Sequence, residues 1–302
     1  MLPWNTLAAY LRHRYGQRVQ KIPLDAGASC PNRDGTLSRH GCIFCNGAGA
    51  GSGFHAQGND IHSQWRFWQA KYAVNTKARK FLAYFQSFSN TYGPVEKLAQ
   101  TLEQTALLPD IVGISLGTRP DCLNPQKLRL VADCPLPEVW LELGLQSCHN
   151  ATLIRINRQH SAEQAAQAVR DAAALNIKVV GHLMAGLPGE SIDDFLNSVR
   201  WAAALPLHGI KLHGTFVPRH TELARQYAQG LYTPLTQEAY VQAIVRALTL
   251  LPAPILIHRL TGDPTPEELI APLWTRQKTD TLNAISRHML MYNLRQGCCV
   301  GE

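Results

Sequence analysis

No apolar run in this chain approaches the roughly 20 residues that a bilayer-spanning helix needs, so a membrane protein is not expected. The first residues, MLPWNTLAAYLRHRYGQR, are too polar for a secretory h-region, and the reading is a cytoplasmic protein. Low-complexity tracts, linkers and internal sequence repeats are missing as well. Cysteine is too sparse for a disulfide scaffold: there are eight in 302 residues, and such scaffolds belong to short secreted chains. Acidic residues are locally absent. Residues 61–95 contain Arg66, Lys71, Lys77, Arg79 and Lys80 but no Asp or Glu. With a net charge of +7, this favours an anionic partner such as nucleic acid or a phosphorylated ligand.

What is present suffices for a full core, because 45% of the residues are hydrophobic. Short β-rich apolar runs predict strands at 19–24, 81–86, 111–115, 139–144, 178–184 and 209–217. Segments with helical apolar spacing separate them. PVEKLAQTLEQTALL, SAEQAAQAVRDAAALN and SIDDFLNSVRWAAAL are three, and Ser161 and Ser191 are the expected N-caps of the last two. In QWRFWQAKYA the stripe Trp65, Trp68 and Tyr72 reads as core-facing rather than as a base-stacking platform. Six strand–helix units imply a parallel sheet with right-handed crossovers. PILIHRL offers a further strand. Thr265 and Glu268, with Pro266 between them, predict a capped helix, and another helix is expected over 281–295. In such folds ligands bind at the carboxyl ends of the strands, where the polar, Gly-rich segments of this chain gather.

Three cysteines stand apart from the other five. Cys30, Cys42 and Cys45 share the loop after the first strand, the last two as a C-x-x-C pair enclosing Phe44. Two thiolates at this spacing can reach one metal centre. Spacing leaves two sites open: a structural zinc completed by His40 or His55 as Cys3His, and a [4Fe–4S] cluster held by three thiolates with one iron free.

The aromatic residue inside C-x-x-C, the upstream third cysteine and the strand–helix rhythm together resemble the radical S-adenosylmethionine (SAM) superfamily. The common spacing there is C-x3-C-x2-C. Here it is C-x11-C-x2-C, as in relatives of the Elongator catalytic subunit. GTRPDC, LELGLQS, INRQH, GHLMAGLPGE and KLHGTFVPRHTELARQYAQG narrow the match to the YhcC/YtqA-type family, over nearly the whole chain.

The resemblance implies a partial (β/α)6 TIM-like α/β barrel at 19–263, an N-terminal arm at 1–18 and a helical C-terminal extension at 264–302. It implies that Cys30, Cys42 and Cys45 ligate a [4Fe–4S] cluster whose open iron takes SAM. Reductive cleavage of SAM then yields a 5′-deoxyadenosyl radical that abstracts hydrogen from substrate. It places Gln86, Ser87 and Asn90 near the SAM amino group, in a segment lacking the family's usual glycines. Ser115 and Arg119 fall near the ribose, the carboxylate or a substrate phosphate, and Arg158 near the SAM carboxylate. Glu142, Gln146, His182 and His213 are expected at the lumen, with an arginine, Arg119 or Arg158, as the alternative partner of Glu142. Gly186, in GLPGE, is expected at the adenine. The implied substrate is tRNA, at the side chain of a modified wobble uridine, with the cations of residues 61–95 on the rim of the same face. The implied electron donor is a flavodoxin or ferredoxin. Acetyl transfer of the Elongator kind is not expected, since no acetyltransferase segment follows the barrel. A radical SAM enzyme acting on a small metabolite or protein, and a non-enzymatic zinc-loop RNA-binding protein, are the other two readings.

Overall fold

The computed structural model describes residues 2–47, 49 and 55–301. Met1 and Glu302, the outer bounds of the expected arm and extension, lie outside them. The strands are β1 (Val19–Leu24), β2 (Lys80–Phe85), β3 (Ile111–Thr118), β4 (Glu138–Gln146), β5 (Lys178–Ala185), β6 (Gly209–Gly214), β7 (Val217–Pro218), β8 (Leu256–Arg259) and β9 (Leu269–Ala271). The helices are α1 (Leu7–Tyr15), α2 (Ile61–Thr76), α3 (Val95–Ala106), α4 (Pro125–Ala132), α5 (Asn150–Arg155), α6 (Ala162–Ala174), α7 (Ile192–Ala203), α8 (Glu222–Ala228), α9 (Gln237–Leu250) and α10 (Lys278–Met291).

Seven strands form one parallel sheet in the order β1-β2-β3-β4-β5-β6-β8, curled into a half-barrel with helices outside. The strand–helix alternation predicted six. The seventh is the PILIHRL segment, whose Leu256 and Ile257 pair with Gly209 and Ile210. Outward side chains such as Phe81, Phe85, Leu141, Leu143 and Leu183 pack with the helices into the main apolar core. Ser161 and Ser191 cap α6 and α7 through full capping boxes.

The inward face runs in layers, because alternate residues of a strand point the same way. At the amino-terminal end Leu7 and Leu11 of α1 pack against Leu82, Trp140 and Val180. The N-terminal segment thus plugs the barrel floor, helped by a parallel bridge between Thr6 and Ile257. Buried Glu138 accepts there from Lys178 at 2.6 Å and from Arg14 at 2.8 Å. Above this apolar floor the lumen turns polar.

Two expectations change. The helix expected at Thr265 is only a turn, with Glu268 and Leu269 donating to the Thr265 carbonyl. Leu269 and Ala271 are claimed by antiparallel pairing with Pro218 and Val217, so the chain leaves the helical path. That pairing also splits the segment read as one strand at 209–217. The cations expected on the active rim do not ring it. Lys77, Arg79 and Lys80 sit where β2 begins, at the barrel's far end.

Candidate active site

The carboxyl ends of the strands open into a pocket lined by Cys30, Cys42, Cys45, Gln86, Arg119, Gln146 and Arg158 at its mouth. Tyr84, Glu142, His182, Lys211, His213 and Arg259 line its depth. A second chamber of about 450 Å3 adjoins it, sharing Phe44, Cys45, Gln86, Gln146, His182, His213 and Arg259 and walled by Phe216, Asp263 and Glu268.

The INRQH segment holds the cysteine loop in place. Ile43 N–H donates to the Ile156 carbonyl at 3.2 Å. The Asn32 side-chain amide donates to the Asn157 carbonyl at 2.6 Å, and Asn157 donates to the Gly41 carbonyl at 2.7 Å. Arg158 bridges the loop and the barrel: it donates to Cys42 Sγ at 3.5 Å and to the Gly144 carbonyl at 2.8 Å. A Cβ on Gly144 would lie 2.4 Å from Arg158 Nη2 and would push the guanidinium from this position. Arg33 donates to Cys45 Sγ at 3.4 Å. Burial pushes the Cys45 thiol up to about 11 and also raises that of Cys30, so both thiols stay protonated unless a metal takes them.

The donor set fits an iron–sulfur cluster. Three thiols share one pocket wall, and N–H groups already aim at two of the sulfurs, the kind of contact that tunes such clusters. A single ion fits less well. Among the described residues no three His, Cys, Asp or Glu side chains converge on one point. His40 and His55, the candidates for a fourth zinc ligand, are exposed.

Glu142, at the centre of the lumen, is fully buried. It accepts from Lys21 at 2.8 Å, Ser115 at 2.5 Å and His182 Nε2 at 2.9 Å, and it also bonds Lys211. Lys211 donates to Tyr84 Oη at 2.8 Å, and both ammoniums lie within 5 Å of the Tyr84 ring centroid, at 4.6 and 4.3 Å. Burial alone would raise the Glu142 carboxyl, but Lys21, Lys211 and His182 overcome it and hold it well below the usual range. Burial, reinforced by Lys21 and Arg259, draws Lys211 down to about 7 against the pull of Glu142. Burial and then Lys211 lower His182 to about 4, so its ring is neutral at pH 7 and donates its Nε2 proton.

The sequence-predicted residues divide accordingly. The three cysteines, Gln86, Arg119, Glu142, Gln146, Arg158, His182 and His213 come together around one cavity. Gln146 holds a left-handed backbone at φ 69°, a conformation uncommon for a non-glycine residue and costly to keep. Ser87, expected at the same site, is buried and does not line the cavity, and its hydroxyl has no partner among the described residues. Ser115 lies deeper than expected, because its hydroxyl is bound to Glu142. Arg119 is held by Asp121 at 2.9 and 2.7 Å and by the Arg158 carbonyl at 2.7 Å, which leaves only Nη1 open. Asn90 staples the carbonyls of Phe85, Ser87 and Gly117 and does not line the cavity. Gly186 stands outside it too. Its carbonyl accepts from Tyr232, and its φ of 77° serves a turn packed on Leu235. Neither arginine partners Glu142. The lysines that do, and Tyr84 and Arg259, escaped the sequence reading. Their signal was a charged residue at an inward position of an apolar strand, as in GIKLHG.

The Radical SAM superfamily model matches residues 38–202, and the Radical_SAM C-terminal domain model matches residues 207–290. Uncharacterized protein YtqA of Bacillus subtilis is 36% identical over 95% of this chain and 89% of its own length. The tRNA uridine(34) acetyltransferase of Methanocaldococcus infernus is 27% identical over 55% of this chain and 31% of its own length. Among solved structures, archaeal Elp3 of the same organism, with an N-terminal deletion, superposes with a TM-score of 0.69 at 19% identity. The match covers 81% of this chain and 62% of that one.

The neutral state of His182 has a consequence for acid stability. In the unfolded chain it protonates near its ordinary 6.5; in the fold it stays neutral down to about 4. Its contribution is complete above pH 6.5 and is lost as pH falls toward 4. His182→Gln keeps an N–H for Glu142 and cannot titrate. Unfolding free energy followed against pH should therefore fall less steeply across that window, by one proton. His160, His213 and His258, also lowered by burial, keep some slope in place. A slope unchanged by the substitution would contradict the neutral donor.

Proposed function

Because the chain belongs to the radical SAM superfamily of enzymes, we propose that Cys30, Cys42 and Cys45 hold a [4Fe–4S] cluster and that the adjoining cavity takes SAM. When bound, the two supply one-electron reductive cleavage of the sulfonium and hydrogen-atom abstraction from substrate. The observation that carries this reading is the placing of three thiols on the mouth of a cavity whose floor is charged and closed below by α1. Arg158 and Arg33 orient two of the sulfurs. Arg119 and Arg158 line the cavity, and each keeps one N–H group without a partner among the described residues, so these guanidiniums are the groups we assign to the carboxylate of SAM. The floor then faces the substrate. Lys211, which burial draws down from the ordinary lysine range, can give or take a proton there, while Glu142 and Tyr84 hold its amine in one place. The closed floor excludes water from the reacting centre.

For the substrate we favour tRNA. The acetyltransferase relative is named for uridine 34 of tRNA, and this chain carries a net charge of +7. A flavodoxin or ferredoxin is the proposed source of electrons.

Two outcomes are expected. Anaerobically reconstituted protein should contain about four irons and four sulfides per chain and release 5′-deoxyadenosine from SAM under reductant. Cys30→Ala, Cys42→Ala and Cys45→Ala should each abolish both. Stoichiometric zinc without sulfide would overturn the cluster. Separately, digested tRNA from cells with and without the gene should differ in one modified uridine; identical nucleoside profiles would point to a small molecule or a protein as substrate.

A further inference from the structure

Two stretches of this chain lack acidic residues, 2–24 and 61–95, and the fold joins them. Parallel pairing of Val19 with Lys80 puts Arg18 beside Arg79 at the foot of the sheet. Lys80 Nζ lies 6.0 Å from the Tyr15 ring, which brings in the last turn of α1 with its Arg12 and Arg14. From that foot α2 climbs the outside of the barrel toward the cysteine-loop end. Its 16 residues span about 24 Å. Arg66, Ala70 and Ala73 on α2 face Arg79 across a shallow groove. Arg66, Lys71, Lys77 and Arg79 are exposed, and none lies within ion-pair distance of a carboxylate among the described residues. The carboxylates bordering the strip are Asp60, which caps α2, Asp110, which accepts from Gln69 at 3.1 Å, and the buried Glu138, which takes up Arg14 at 2.8 Å.

The aromatic side chains of α2 do not all turn inward as the sequence pattern suggested. Trp65 is fully buried, but Trp68 and Tyr72 are only half-buried, and Phe67 is 53% exposed. Trp68 stacks on Tyr72 at 5.5 Å, Phe67 meets Trp68 edge-on at 5.3 Å, and Lys71 Nζ sits 4.8 Å from the Trp68 ring. Cations interleaved with exposed aromatic rings are the arrangement that tracks a phosphate backbone and stacks unpaired bases. A membrane surface needs a continuous apolar face, which Arg66 and Lys71 of α2 interrupt. An acidic protein surface would use the charges but leave the rings without a role.

We propose that the outer face of α2, with the foot formed by Arg18, Lys77, Arg79 and Lys80, is an RNA-docking surface that binds the backbone and unpaired bases outside the catalytic cavity. It rests on the reading of tRNA as substrate and adds where the body of that RNA lies. Every residue in it stands away from the cysteines and the lumen, so docking is separable from SAM cleavage.

The test uses the reconstituted full chain and unfractionated bacterial tRNA, with fluorescence anisotropy at several salt concentrations. Lys77→Glu and Arg79→Glu should each lower affinity several-fold at low salt and reduce the salt slope by about one. Phe67→Ala should weaken binding of an unpaired RNA strand about tenfold and leave a duplex of equal charge unaffected. Iron content and 5′-deoxyadenosine release without RNA should match the parent for all three. If tRNA binds and none of these changes matters, the surface is wrong and the tRNA reading stands. If tRNA fails to bind even at low salt, both fall. If anionic phosphatidylserine vesicles bind as tightly through the same residues and compete with tRNA, the surface is a membrane face and the proposal is overturned.

Discussion

A carboxylate that has left water altogether must be matched by charge and hydrogen bonds, and the half-barrel is arranged around one such group. Glu142 has no solvent exposure. Four strands supply its partners: Lys21 from β1, Ser115 from β3, His182 from β5 and Lys211 from β6. Removing one side of a buried pair of this kind typically costs about 3–5 kcal/mol, because the remaining charge is left stranded. The network therefore ties strand register to the position of the lumen floor. A strand shifted by one residue would turn its partner group outward and bury an apolar side chain against the carboxylate. Lys211 is drawn down chiefly by its burial, and the second ammonium on the same carboxylate adds to that.

Above this floor the chain solves a second problem, the placing of a loop rich in glycine and charge. The loop has little core of its own, and its order comes from INRQH, which follows α5. Arg158 is central. It reaches Cys42 and the end of β4 at once, and Gly144 provides the space. The same segment is braced by Arg119, which donates to the Arg158 carbonyl. Cysteine geometry and barrel geometry are thus linked through two arginines that both line the cavity.

Much of this was readable before the fold was seen. The β-rich runs and the serine caps gave the strand–helix order, since period and capping are local properties. The cysteine spacing singled out three thiols that the fold places on one pocket wall. What local pattern could not give was the partner of each buried charge. Glu142 stood out as a polar residue in an apolar strand, yet arginine was as reasonable a partner as lysine until topology set β1 and β6 around β4. Gly186 and Asn90 are the converse case. Glycine in a turn and asparagine after a strand also serve the backbone, and here they do. Thr265 carried every mark of a helix start, and the pairing of Leu269 and Ala271 with Pro218 and Val217, distant in sequence, overrode it. The aromatic stripe of α2 was read by period alone, which cannot show how much of a ring the neighbouring helices leave uncovered.

The account depends on the three-cysteine mouth leaving one coordination position for SAM. Electron paramagnetic resonance of the reduced, reconstituted protein tests this directly, with SAM labelled at its carboxylate by oxygen-17. Adding SAM should change the cluster signal, and the label should broaden it through coupling to the bound oxygen. A spectrum indifferent to SAM, labelled or not, would mean that the cavity beside Cys30, Cys42 and Cys45 does not bring SAM to iron.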